Sequence, residues 1–148
     1  MEKEINTKKS KKSIIIIIIM IAIIIAILCA CIIRSQSLTK DEKIIYDIVY
    51  KYQTSFKKPA SVHISEAKIF ENKYAIIKIG GENSFGAIDT ATYYMKDDTL
   101  YTKENNYEIV KEIINKCFEA ESNEKANINE LKTNSISKIN KKLEKRYK

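Results

Sequence analysis

The sequence predicts an α+β fold: an N-terminal transmembrane or signal helix, then a small antiparallel sheet of three to four strands packed with helices, in the order α-β-β-β-β-α-α. Three observations predict it. Residues 14–33 form twenty consecutive uncharged, overwhelmingly apolar positions, a run that as a helix matches the ~30 Å hydrocarbon core of a bilayer. Apolar residues recur at helical spacing after Thr39 and again from Tyr107. Between these segments the pattern alternates at strand spacing, and its connections are too short for parallel crossovers.

The first thirteen residues form a basic segment that should lie in the cytoplasm. Lys3, Lys8, Lys9, Lys11 and Lys12 precede the apolar run and only Arg34 sits just beyond it, a bias that orients the N-terminus inward and residues 34–148 outward. Thirteen of the twenty apolar positions are isoleucine, worth together roughly −4 to −8 kcal/mol for insertion. An apolar surface all round would otherwise need burial on every side.

The same stretch supports a second kind of anchor. Its basic start, apolar run and Leu28-Cys29-Ala30-Cys31 resemble a bacterial lipoprotein signal. That resemblance implies that Cys31 carries a diacylglycerol and becomes the first mature residue. A retained spanning helix, a lipidated Cys31 and an ordinary cleaved signal all remain open. Abundant Ile, Lys and Asn with only three Gly, one Pro and no Trp are the usage of an AT-rich genome, for which a low-G+C bacterium is the simplest source. Beyond the anchor only Cys117 remains, so the exported part makes no internal disulfide and must be held by its core.

The 115 residues that follow suffice for one domain. Thr39-Lys40-Asp41-Glu42 reads as a capping box, and Ile44, Ile45, Ile48, Val49 and Tyr52 continue it as a helix from about Lys40 to Thr54, stopped at Lys57-Lys58-Pro59. Val62 and Ile64, then Ala67 and Ile69, form a first strand whose change of phase predicts a bulge near Glu66. Asn72 and Lys73 turn into a second strand, Tyr74 to Ile79; Gly80-Gly81-Glu82-Asn83-Ser84 reads as the connecting loop. Ala87 to Met95 is the third strand and, after Asp97-Asp98, Thr99 to Thr102 the fourth.

Helical spacing then returns. Tyr107, Val110, Ile113, Ile114, Cys117 and Phe118 make one contiguous face. A basic C-terminal helix over 127–147 should start at Asn127-Ile128-Asn129-Glu130, with Ile128, Leu131, Ile139 and Leu143 on one side and Lys138, Lys141, Lys142, Lys145 and Lys148 mostly on the other. The helices are expected on one sheet face. Phe56 to Val62, Asn83-Ser84-Phe85-Gly86 and Tyr93-Tyr94 are similar to small membrane-anchored or lipoprotein domains of low-G+C bacteria. This resemblance covers Thr39 to Tyr101 and implies an architecture without a chemistry.

Net charge is +7, but it sits in the ends: residues 1–33 carry +3, residues 132–148 carry +6 and residues 34–131 carry −2. The candidate binding features are accordingly few. Tyr46 and Tyr50, one turn apart opposite the apolar stripe, offer a partner large apolar area with polar tips. Lys138, Lys141, Lys142 and Lys145 could face anionic lipid or cell-wall polyanions.

The remaining polar residues read as structural. His63 is the sole histidine and makes no zinc or Cys/His spacing, so it reads as a surface or edge-strand residue. Cys117 falls within an apolar stripe and reads as a buried small hydrophobe rather than a reactive thiol. Asp97-Asp98 suit a turn, and Glu82 and Asp89 lack a recognisable acid–base partner. Gly80, Gly81 and Gly86 lack the lysine and context of a phosphate loop and read as turn or bulge glycines.

No catalytic, cofactor or metal set is expected, and no nucleic-acid-binding module is recognisable. The sequence points to a membrane-anchored, outward-facing binding or accessory module without catalysis, one form being an envelope inhibitor or immunity-like domain. An envelope enzyme and a subunit of a membrane complex are the competing classes. Expected partners are the membrane, another envelope protein, or an anionic cell-wall polymer or lipid.

Overall fold

The computed structural model describes residues 15–30, 37–123 and 128–147. The chain divides into two compact units, Met1–Ser37 and Leu38–Lys148. In the first, residues 15–30 are helical (α1), and the large apolar side chains from Ile15 to Leu28 are 50–61% exposed. Among the described residues, no helix is long and apolar enough to cross a membrane. The predicted run 14–33 extends beyond them at both ends, and the basic segment 1–13 and Cys31 lie outside them.

The second unit is an α+β domain around a five-stranded antiparallel sheet of order β4-β3-β2-β1-β5. Its elements are α2 (Lys40–Tyr52), β1 (His63–Phe70), β2 (Tyr74–Glu82), β3 (Ile88–Lys96), β4 (Thr99–Tyr101), α3 (Tyr107–Ser122), β5 (Ile128–Glu130) and α4 (Thr133–Glu144). The capping box forms: Glu42 N–H donates to Thr39 Oγ1 at 3.3 Å, and Thr39 N–H donates to Glu42 Oε2 at 2.8 Å. α2 ends at Tyr52, short of Thr54, because the chain tightens into a 3-10 turn over Gln53–Ser55.

The register explains how the strands are buried. The bulge lies between Ile64 and Glu66, as the phase change predicted, and it lets Ile64, Ala67 and Ile69 share one face with Ala75, Ile77, Ile79 and Met95. α2 and α4 cover that face with Ile45, Ile48, Val49, Ile139 and Leu143, joined by Leu131 from the segment between β5 and α4. On the other face Phe70 and Tyr74, paired across the hairpin, stack at 5.6 Å and lie under Ile113, Cys117 and Ala120 of α3. Lys96 holds α3 through Glu112 (2.7 and 2.8 Å) and Lys68 holds it through Glu121 (2.6 Å).

Four expectations are corrected. Helices cover both faces of the sheet, because β1 and β2 carry apolar residues on both sides. Residues 128–130, expected to open the last helix, form a fifth strand pairing Lys68–Phe70 of β1, so the helix begins at Thr133. Ile128 thereby joins the α3 face while Leu131 joins the opposite one; a three-residue strand is too short to show a period, and its pairing outweighs a local cap-like pattern. Gly80 and Gly81 belong to β2, opposite Thr90 and Asp89, and the turn glycine is Gly86, at φ 82°. Finally, Tyr107 and Phe118 point outward, 55% and 63% exposed.

Glu42 is the buried charge on which the α2–α4 contact rests, being 2% exposed and facing Lys138 Nζ at 3.3 Å. Burial alone would raise its pKa, but hydrogen bonds from Ser135, the Thr39 amide and Lys138 outweigh it and hold the carboxyl below the ordinary glutamate range. A depressed carboxyl stabilises the fold above its unfolded pKa, and that contribution is lost as pH falls through the folded value. Glu42→Gln should cost about 1–3 kcal/mol at pH 7. Thermal melts across pH should show the gap from wild type narrowing on acidification below about pH 4.5.

Candidate functional site

The residues singled out in the sequence converge on the α2–α4 layer. The two helices run parallel: Glu42 near the start of α2 meets Lys138 midway along α4, and Tyr50 near the end of α2 meets Arg146 in the 3-10 turn just beyond α4, both across 96 residues. Tyr46 and Tyr50 form a ring pair at 5.5 Å, but they are not the free pair expected. Tyr46 packs half-buried against the core, and burial, reinforced by Tyr50 and Asp47 against the opposing Arg146 charge, raises its pKa.

Tyr50 keeps 39% exposure, with the Arg146 guanidinium 3.9 Å over its ring and Arg146 Nη1 donating to its carbonyl at 2.8 Å. The geometry is a cation–π clamp.

The four lysines separate in the same way. Lys138 is half-buried and committed to Glu42, a correction to its expected role on a free basic face. Lys142, on the same side of α4, is half-buried; Lys141 and Lys145 are exposed. The outward basic surface is therefore Lys141, Lys145 and Arg146, beside the aromatic edge of Tyr50. Arg146 was missed in the sequence because its role comes from a contact with a residue 96 positions earlier.

A groove of about 320 Å³ opens beside this layer, lined by Ala60, Ser61, Val62, His63, Glu144 and Tyr147. His63 starts β1, half-buried, with Nδ1 3.1 Å from Ser61 O. Its ring lies over Gly80, where an added Cβ would stand 2.5 Å from Cε1 and Nε2; that close approach explains glycine within a strand. Below, buried Gln53 donates through Nε2 to Pro59 O (2.9 Å) and Leu143 O (3.5 Å). The groove presents the Ser61 hydroxyl, the His63 imidazole, the Glu144 carboxylate and the Tyr147 phenol.

The remaining candidates are engaged structurally. Cys117 is 6% exposed, and burial, with the Glu121 carboxylate beside it and despite Lys68, pushes its thiol up, away from the reactive thiolate. Asp97 takes a left-handed turn conformation, φ 53°. Glu82 pairs with Lys58 and Asp89 accepts from Asn83 Nδ2 at 2.9 Å. A smaller groove of about 260 Å³ on the α3 side is lined by Glu66, Lys68, Ile76, Lys78, Thr92 and Glu130, and its Lys78 pairs with Glu66 at 3.2 Å. Among the described residues, no three His, Cys, Asp or Glu side chains gather as a metal-binding set.

Comparison with known proteins returned no match to a family model, a curated protein or a solved structure.

The His63–Gly80 contact is testable by itself. Gly80→Ala should lower stability by about 1 kcal/mol by displacing the imidazole. Adding His63→Ala should recover most of that loss in a thermal melt, a non-additivity absent if the methyl group acts only on backbone conformation.

Proposed function

We propose that this chain is a membrane-anchored binding or accessory module, without catalysis, whose 34–148 domain faces outward from the cell. The observation that carries the reading is the isoleucine-rich helix over 15–30, whose large side chains stand at least half exposed. Apolar area left in water costs roughly 25 cal/mol per Å², and the apolar run in the sequence continues to Ile33. The lysines ahead of it favour an inward N-terminus. Anchoring would be by the helix itself or by a lipid on Cys31, and either places the domain at a surface.

The basic outer side of α4 suits that setting. Lys141 and Lys145 are exposed and Arg146 adds a third cation at the helix end, against a domain middle that is net acidic. A tethered module needs only weak affinity for anionic head groups or wall polymer, since the anchor supplies the local concentration. A non-catalytic role is favoured because Ser61 Oγ, the hydroxyl that shares the groove with His63, donates to Lys58 O and accepts from the Glu82 N–H rather than pairing with the imidazole.

Carbonate extraction and intact mass of the native protein test the anchor. The chain should stay in the membrane pellet, either unprocessed or acylated and beginning at Cys31; an unprocessed chain soluble without detergent overturns the reading. For the basic surface, amide exchange of the full chain in nanodiscs should slow across Thr133–Glu144 in anionic lipid relative to neutral lipid. Equal rates would dismiss that surface as a lipid contact.

A further inference from the structure

The two edges of the sheet are treated differently. On one side β5 pairs only Lys68–Phe70 of β1, and the exposed part of β1 is capped by a side chain: Asn140 Oδ1 accepts from Ile64 N–H and Asn140 Nδ2 donates to Ile64 O, each at 2.8 Å. The Asn140 amide thus stands in for a neighbouring strand. On the other side β4 pairs only Tyr94–Lys96 of β3, and Ile88 to Thr92 are exposed with no strand beside them among the described residues.

The register says which groups this leaves open. Asn83 N–H donates to Ala87 O (2.8 Å) and Asp97 N–H to Lys73 O (2.7 Å), so odd-numbered residues of β3 bond to β2 and even-numbered ones direct N–H and C=O outward. At Tyr94 those groups meet Tyr101 of β4. At Ile88, Thr90 and Thr92 they meet nothing on the sheet. The usual guards of such an edge are lysine, proline or a bulge; Ile88-Asp89-Thr90-Ala91-Thr92 has none. Its single charge, Asp89, is held by Asn83.

We infer that this edge is a dimer seam: two copies of the chain join β3 to β3 antiparallel about a twofold axis at Thr90, making one ten-stranded sheet. The open stretch is centred on Thr90, and only this register uses all of it. Ile88 pairs with the partner's Thr92, Thr90 with the partner's Thr90 and Thr92 with the partner's Ile88, so that the three pairs exchange six bonds. A shift of two residues sets Ile88 against the partner's Tyr94, which β4 already occupies, or runs the seam into the turn at Gly86.

Charge agrees with the arrangement, since Asp89 falls opposite the partner's Ala91 and no like charges face each other. The threonines and Ile88 line one face of the seam, where such cross-strand pairs are favourable. Phe85, 95% exposed, and Ile88, 66% exposed, add apolar area at its two ends, as a self-complementary interface needs.

The test uses the full chain in detergent. Sedimentation should show a dimer whose dissociation constant rises at least tenfold with Thr90→Lys, while melting temperature and circular dichroism hold. Mild oxidation should link Thr90→Cys chains through position 90, identified by peptide mass, well above Ala91→Cys, whose side chain lies on the other face and opposite the partner's Asp89. A monomer at every concentration, a dimer indifferent to Thr90→Lys, equal linkage at 90 and 91, or linkage of residue 90 only to a different polypeptide would each overturn the proposal. Should Thr90→Lys fail to fold, the linkage comparison decides.

Discussion

A carboxylate taken out of water between two helices sets the frame of this domain. Glu42 has almost no exposure, and a buried charge is tolerated only when its partners are all in place. Those partners come from two distant parts of the chain: Thr39 beside it, and Ser135 and Lys138 on α4. Meeting them aligns α4 along α2 in one register. That register carries Asn140 to the edge of β1 and Arg146 to the ring of Tyr50, so one electrostatic requirement positions a strand cap and a surface cation together.

The sheet imposes the second constraint. β1 and β2 alternate between two apolar sides, and each side needs its own cover. α2 and α4 supply one, with the larger share of the core; α3 supplies the other, held at two points by Lys96–Glu112 and Lys68–Glu121. These outer ion pairs are partly solvated and contribute more to orientation than to stability. β3 begins beyond the reach of α3, and its first five residues keep both their face and their edge open to solvent.

Local chemistry in the sequence was a reliable guide wherever it had no competitor. The capping box at Thr39 and Glu42 forms, the phase change near Glu66 is a bulge, and the aspartate turn lies at Asp97. Cys117 is buried within its helical stripe. Where a residue could satisfy two patterns, the sequence alone chose wrongly. Gly80 and Gly81 have turn composition, yet the imidazole of His63 needs the missing Cβ, and the strand runs through them. The Asn–Ile–Asn–Glu segment has a cap-like start, yet three of its residues complete a sheet.

The candidate surfaces show the same division. Lys138 and Lys141 look alike on a helical wheel, but only the position of Glu42 makes one a buried partner and leaves the other outside. Tyr46 and Tyr50 lie one turn apart in any helix, whereas the cover on each depends on what α2 meets across the fold. The sequence by itself determined the apolar run and the order of most elements, because composition, periodicity and capping act within a few residues. Only the tertiary structure decided the fifth strand, the two covered faces, the fate of each lysine and the open edge of β3, because pairing and burial join residues tens of positions apart and no local pattern records them.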